Sequence, residues 1–161
     1  MEHEENQTIV CEAFDADLHL SGVVALCRSL EWDNFRYAPD LTRRSLTAPG
    51  VTALVAVARD PGDRGSVVGF AQVFSDGVGF QAHLSLLAVD ERWRRRGVAG
   101  KLVEEAFERT GTGRMDLIAS DESLDFYRSL AHREQAGFRI YPGRGRTTGG
   151  AVEKVRQTRG A

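Results

Sequence analysis

The chain has 161 residues, of which 42% are hydrophobic and 27% are charged. A chain of this length can bury a sizeable core, so we expect one domain over residues 8–155 between flexible ends at 1–7 and 156–161. The net charge of −2 gives no electrostatic reason to expect nucleic acid or an anionic membrane as a partner. Since no apolar run approaches the roughly 18 residues of a membrane span and the acidic start is unlike a signal peptide, we expect a cytoplasmic protein.

Hydrophobic patterning and turn residues divide the chain into alternating strands and helices. In chain order the sequence predicts a strand at 8–14, a helix capped by Asp15 and ending near Leu30, a helix at 41–48, strands at 51–59, 66–75 and 84–89, a helix opening near Val98, a strand at 114–119, a helix at about 122–133, and short strands at 138–141 and 152–155. This order predicts an α/β protein.

The segment from His83 to Thr110 is the most informative part of the chain. Its apolar run fits a strand buried on both faces, and an Arg-rich turn connects this run to an amphipathic helix. Helix starts expose unpaired N–H groups and carry partial positive charge, while Gly97, Ala99 and Gly100 leave room for a ligand to approach the backbone. Strand, basic turn and helix together predict a phosphate cradle.

Two nucleotide-binding motifs are excluded at this turn. A Walker loop needs Gly-Lys followed by Ser or Thr, but Gly100-Lys101 is followed by Leu102, and the Gly-x-Gly-x-x-Gly dinucleotide pattern is also missing. The residues Arg94-x-x-Gly97-x-Ala99 instead resemble the Arg/Gln-x-x-Gly-x-Gly/Ala signature of the GNAT superfamily of N-acetyltransferases, whose backbone amides hold the pyrophosphate of acetyl-CoA.

The resemblance extends over about residues 8–155, because the order of the predicted elements is similar to that of the family and Gly137-Phe138 resembles the Gly-Phe of a late strand. It implies an α/β fold with a mixed, centrally splayed sheet of six to seven strands flanked by about four helices. It also implies acetyl-CoA as the cosubstrate. The residues that the resemblance assigns to cofactor binding are Leu87, Val89, Arg94, Arg95, Arg96, Gly97, Val98, Ala99, Gly100, Lys101 and Tyr127.

The family chemistry implies three catalytic groups. The backbone N–H of Val89 would polarise the thioester carbonyl. Strand alternation would put His83, Ser85, Leu87 and Val89 on one face, and His83 would serve as general base, directly or through water, because an imidazole can accept a proton near neutral pH. The Phe-Tyr pair of the family matches Tyr127, which would protonate the thiolate. Tyr127 precedes Gly137 by ten residues, however, so His132 is the alternative.

For the acceptor site, aromatic and acidic residues crowd the connection after the first helix: Trp32, Asp33, Phe35, Tyr37 and Asp40. Carboxylates and aromatic faces attract an ammonium ion, whereas Arg144 and Arg146 in a glycine-rich loop favour an anionic acceptor, so the substrate stays open. The alternative reading of these residues is a loop packed by its own aromatic side chains.

These features predict acetyl-CoA-dependent transfer to a primary amine, on a small molecule or a protein, by direct attack in a ternary complex. The alternative is a non-catalytic acyl-CoA-binding regulatory or interaction module. The oligomeric state is left open, with a homodimer as one possibility. The dispersed cysteines and histidines predict no metal site. The arginines near the turn lack the interleaved aromatic residues of a nucleic-acid surface.

Overall fold

A computed structural model of the protein describes residues 8–59 and 65–142. The chain divides into two compact units, one ending at Ala119 and the other beginning at Ser120. The predicted ends at 1–7 and 156–161 and the predicted strand at 152–155 lie outside the described residues. The prediction of one domain over 8–155 therefore stays a prediction.

The described part of the first unit contains five strands and four α-helices. They are β1 (Thr8–Ala13), α1 (Ala16–Ser29), α2 (Asp33–Arg36), α3 (Pro39–Thr47), β2 (Val51–Arg59), β3 (Ser66–Ser75), β4 (Ala82–Val89), α4 (Val98–Thr110) and β5 (Met115–Asp116). In the second unit, α5 covers Leu124–Arg128. No helix of the described segments has the length and the apolar character needed to cross a membrane.

The sheet is mixed, as predicted, and its strand order is β1-β2-β3-β4-β5. Neighbouring strands run antiparallel except for β4 and β5, which are parallel. Five strands replace the predicted six to seven in the described residues. The strand predicted at 114–119 shortens to Met115–Asp116, and residues 138–141 form no strand because they lack a ladder partner there; Phe138 is 81% exposed.

The ladder between β4 and β5 contains only two pairs, Ala82 with Met115 and His83 with Asp116. Both pairs lie at the start of β4, so β5 does not follow β4 to its end. From Leu84 onward, the edge of β4 that faces away from β3 has no strand partner among residues 8–59 and 65–119. The sheet therefore opens toward the carboxyl end of β4.

The two faces of the sheet are covered by different helices. On one face, Val23 and Cys27 of α1 join Leu46 of α3, Val55 and Phe70 in a single apolar cluster. On the other face, α4 packs on β2, β3 and β4. The buried residues of α4 are Val98, Leu102, Val103 and Ala106. This helix therefore has the packed apolar side expected of the predicted amphipathic helix.

Asp15 caps α1 as predicted, because its carboxylate accepts hydrogen bonds from the N–H groups of Asp17 (2.9 Å) and Leu18 (3.1 Å). His19 connects this helix to β1. Its Nδ1 accepts the Asp15 N–H at 2.9 Å, so its Nε2 is the protonated nitrogen and donates to Glu12 at 2.8 Å. The buried imidazole is thus satisfied at both nitrogens.

The last predicted helix, at about 122–133, is shorter than expected. The structure has an α-helix only at Leu124–Arg128. The Ser129 hydroxyl donates to the carbonyl of Phe126 at 2.6 Å, and the N–H of Leu130 donates to the carbonyl of Tyr127 at 3.1 Å. Such local serine bonds compete with helix continuation, so the helix ends one residue after Tyr127.

Candidate functional site

A β-bulge in β4 changes which side chains share a face of the sheet. Leu84 pairs with Val73 and Leu86 pairs with Gln72, so Ser85 has no partner on β3. Beyond the bulge the alternation is reversed. His83 therefore shares the α1–α3 face with Leu86 and Ala88, and the prediction that it shares a face with Leu87 and Val89 is wrong.

The backbone of β4 directs two N–H groups toward its open edge. Asp90 donates to the carbonyl of Val68 at 2.8 Å, which makes Val89 and Gly69 a pair that exchanges no hydrogen bonds with each other. The N–H of Val89 consequently points away from β3. Antiparallel ladders alternate, so the N–H of Leu87 points the same way. Leu87 and Val89, both predicted to bind the cofactor, thus present donors at the edge that β5 leaves open.

The turn between β4 and α4 is shaped by two residues with positive φ. Arg95 has φ 61° and Gly97 has φ 79°, and α4 begins at Val98 directly after Gly97. Within the described residues, the N–H groups from Arg95 to Gly100 donate to no protein acceptor. Lys101 is the first residue after them whose N–H forms a hydrogen bond, which it donates to the carbonyl of Gly97 at 3.0 Å. Unpaired donors at the start of a helix are the kind of group that can bind an anion.

The space in front of this turn is open. A Cβ atom added at Gly97 or at Gly100 would meet no atom within 4 Å. Among the described residues, no side chain caps the N-terminus of α4. The donor set and the open approach fit a pyrophosphate group, which offers several anionic oxygens to backbone amides.

The basic side chains near the turn differ in how they are held. Arg92 forms two bonds to Asp90, at 3.1 and 3.0 Å, and this guanidinium lowers the pKa of that carboxyl. The Arg94 Nε lies 3.4 Å from the carbonyl of Val89. The Lys101 ammonium donates to the Ile9 carbonyl at 3.0 Å, so it is held at β1 rather than at the turn.

Two arginines remain at the turn itself. The Arg96 guanidinium lies 5.0 Å from the ring centroid of Trp93, a stacked position that leaves its N–H groups available for an anion. Arg95 is exposed, and its backbone adopts the left-handed conformation. A non-glycine residue in this region is uncommon and marks functional turns. No residue pattern in the sequence indicated this conformation.

His83 lies at the opposite end of β4 from Val89. Through β3, His83 pairs with Phe74 and Val89 pairs with Gly69, five residues apart, which corresponds to about 17 Å along the strand. His83 lines a cavity of about 260 Å³, whose other lining residues are Phe74, Ser75, Asp76, Phe80, Gln81 and Ala82.

A second cavity lies on the same face of the sheet. It measures about 210 Å³ and is lined by Trp32, Asp33, Phe35 and Leu86. Three of these residues belong to the predicted acceptor region. Tyr37 and Asp40 are not among the lining residues. The sequence analysis did not predict Leu86 as a site residue. The face on which its side chain lies, relative to His83, depends on the bulge at Ser85, and the apolar run does not indicate a bulge.

The candidate acids lie in the second unit. The Tyr127 ring meets the Phe126 ring edge-on at 5.0 Å, and burial raises the pKa of the Tyr127 phenol, which keeps it protonated at neutral pH. His132 is exposed, its Nδ1 lies 2.7 Å from the Leu130 carbonyl and its Nε2 lies 3.8 Å from Glu134. Within the described residues, no group of three or more His, Cys, Asp or Glu side chains could hold a metal ion.

Comparison with known proteins gives a family and a set of structural relatives. The model of the Acetyltransferase (GNAT) domain matches residues 51–131, just over half of the chain. None of the curated proteins matches significantly.

Among solved structures, the chain resembles aminoglycoside N-acetyltransferase AAC(6′)-Iy in complex with CoA, with a TM-score of 0.70 and 19% identity over 88% of this chain and 98% of the other. It also resembles an acetyltransferase of Trypanosoma brucei, with a TM-score of 0.61 and 20% identity over 83% and 99%. An aminoglycoside acetyltransferase from an uncultured soil metagenomic sample, in complex with sisomicin, gives a TM-score of 0.61 and 21% identity over 83% and 95%. At these identities the likeness establishes the fold.

Proposed function

The chain belongs to the GNAT acetyltransferase family, and we propose that it transfers the acetyl group of acetyl-CoA to a primary amine by direct attack in a ternary complex. Acetyl-CoA is the cosubstrate of this family, and the geometry of the first unit suits it. The observation that carries the proposal is the run of unused N–H groups from Arg95 to Gly100, directly after a strand whose edge is open. A long cosubstrate with an anionic end and an amide-containing arm matches both features.

In this proposal, the pyrophosphate binds the N–H groups at the start of α4, and the pantetheine arm lies along the open edge of β4. There the arm's amides would pair with backbone groups in the manner of an added strand. The N–H of Val89 polarises the thioester carbonyl and stabilises the oxyanion that develops on attack. One such donor contributes about 3 kcal/mol to the barrier in comparable sites.

The amine must lose a proton before or during attack, and we propose His83 as the acceptor of that proton. Because His83 lies about 17 Å along β4 from Val89, the transfer runs through water molecules rather than through direct contact. Tyr127 is the proposed acid that returns a proton to the departing CoA thiolate. Its protonated phenol supports this role, and His132 remains the alternative acid.

The experiment has two stages. Calorimetric titration with acetyl-CoA, with 3′-dephospho-CoA and with ATP tests the cosubstrate site, and we expect micromolar affinity for acetyl-CoA and none for ATP. Release of free thiol in the presence of primary amines then tests transfer. Absence of acetyl-CoA binding would refute the site, whereas binding without thiol release for any amine would refute transfer.

The separation between His83 and Val89 also favours a second candidate, a non-catalytic module that binds acyl-CoA. Such a module would keep the cradle at α4 without a base close to the thioester. It predicts binding of acetyl-CoA with no thiol release above the rate of spontaneous hydrolysis. The same two-stage experiment distinguishes the candidates, because only the enzyme shows release that saturates with amine concentration.

A further inference from the structure

The cavity lined by Trp32, Asp33, Phe35 and Leu86 lies beside the proposed reaction site. Leu86 is adjacent in sequence to Leu87, whose N–H points to the open edge of β4. The Leu86 side chain stands on the α1–α3 face, and the other three lining residues come from the connection between α1 and α3. An acceptor that occupies this cavity would therefore approach the edge of β4 from the α1–α3 face.

The aromatic wall of the cavity is held in place by the fold. The Trp32 ring contacts Phe70 edge-on at 6.1 Å and the Phe35 ring at 6.2 Å. The backbone N–H of Trp32 donates to the Cys27 carbonyl at 2.9 Å, and the fully buried Thr42 hydroxyl donates to the backbone carbonyl of Phe35 at 3.0 Å. A wall fixed in this way binds a ligand with little loss of side-chain entropy.

The lining of the cavity combines apolar side chains with a carboxylate. Trp32, Phe35 and Leu86 offer apolar surface, and Asp33 supplies a carboxylate. Aromatic faces and a carboxylate together attract an organic cation. The volume of about 210 Å³ is below the range of about 300–1,000 Å³ for drug-sized ligands, so the cavity suits one short arm rather than a whole multi-ring molecule.

We propose that this cavity selects the acceptor and that the preferred acceptor is a primary ammonium carried on a short apolar arm, of the alkylamine or arylalkylamine class. The inference rests on the acetyl transfer proposed above and names its substrate class. An amino sugar carries the same charge, but its hydroxyl groups would lose water against three apolar residues and gain few hydrogen-bond partners there. The cavity therefore discriminates between amines by the arm and not by the charge.

Two probes of equal charge test the proposal: 2-phenylethylamine and glucosamine. In thiol-release assays we expect kcat/KM to be at least tenfold higher for 2-phenylethylamine. Phe35→Ala should lower kcat/KM about tenfold for 2-phenylethylamine, the effect of removing a ring contact, and less than twofold for glucosamine. A preference for glucosamine, or an equal loss for both probes, would overturn the inference while leaving acetyl transfer intact.

The carboxylate has its own test. Asp33→Asn should raise KM for 2-phenylethylamine about fivefold to tenfold, as loss of a partly exposed charge contact does. Because a nearby carboxylate favours the ammonium form, the same change should also move the acidic limb of the kcat profile to lower pH. Asp40→Asn, a carboxylate in the same connection but outside the lining, is the matched control. An Asp33→Asn enzyme with unchanged KM and pH profile contradicts the assignment.

Binding can be measured even if no amine is acetylated. The chain has two tryptophans, Trp32 and Trp93, so Trp93→Phe leaves Trp32 as the sole reporter of the cavity. With CoA present, saturable quenching by 2-phenylethylamine at lower concentration than by glucosamine supports the cavity assignment, even where the proposed transfer has failed. No saturable change, or quenching by glucosamine first, overturns it.

Discussion

Gly100→Glu is the sharpest test of the cradle, because it separates ligand binding from folding. Gly100 is the third residue of α4, and an added Cβ atom would meet no described atom within 4 Å. Its φ lies outside the left-handed region, so a larger residue fits without strain. Glutamate in the first turn of a helix interacts favourably with the helix dipole. We therefore expect the thermal midpoint of unfolding to be unchanged or higher.

The same side chain would place a negative charge where the pyrophosphate is proposed to bind. Two like charges about 5 Å apart repel by about 3 kcal/mol at the effective dielectric constant of about 20 that suits sites near a protein surface. Since 1.4 kcal/mol corresponds to about tenfold in affinity, one phosphate charge alone predicts a loss of more than about a hundredfold. Gly100→Ala adds only a methyl group and should weaken binding by less than about tenfold.

Calorimetric titration with acetyl-CoA measures this difference, and the alanine variant controls for added bulk. The expected order of affinity is wild type, then Gly100→Ala, then Gly100→Glu, at matched ionic strength, because surface repulsion is screened by salt. A Gly100→Glu protein that folds and binds acetyl-CoA with wild-type affinity would refute the view that the start of α4 holds the pyrophosphate.

Three further predictions concern the elements around the site. Lys101→Met should leave acetyl-CoA affinity within about twofold in calorimetry, because that ammonium is bound to the Ile9 carbonyl; a tenfold loss would return Lys101 to the cradle. Gly69→Ala should cost about 1–3 kcal/mol in urea denaturation, since its Cβ would lie 2.9 Å from the Ala88 carbonyl; unchanged stability contradicts this packing. Burial raises the pKa of the Cys27 thiol from 9.0 to about 11. The contribution of the neutral thiol to the free energy of unfolding is therefore fully present below pH 9 and is lost as pH rises toward 11. That loss reaches about 3 kcal/mol, and Cys27→Ala should flatten the stability curve between pH 8 and pH 11; an equal slope in both proteins would argue against it.

Strands β1 to β4, the helices α1, α3 and α4 and the turn at Arg94 to Gly100 were predictable because each depends on local patterning. Apolar periodicity identified α4, and Asp15 identified the start of α1. The short strand Met115–Asp116 and the missing strand at 138–141 were not predictable in this way. Strand length depends on pairing with a partner, and a β-rich run without a neighbour forms no ladder.

The bulge at Ser85 was equally invisible in the sequence, and it changes the site more than any other difference. The run from Leu84 to Val89 is apolar on both faces, so a register shift leaves no trace in its pattern. By reversing the alternation, the bulge places His83 and Leu86 on one face, the α1–α3 face where the aromatic cavity lies, while the N–H groups of Leu87 and Val89 point to the open edge. One strand can thereby serve both partners in the proposed reaction: its backbone edge binds acetyl-CoA, and its Leu86 side chain, on the α1–α3 face, meets the amine.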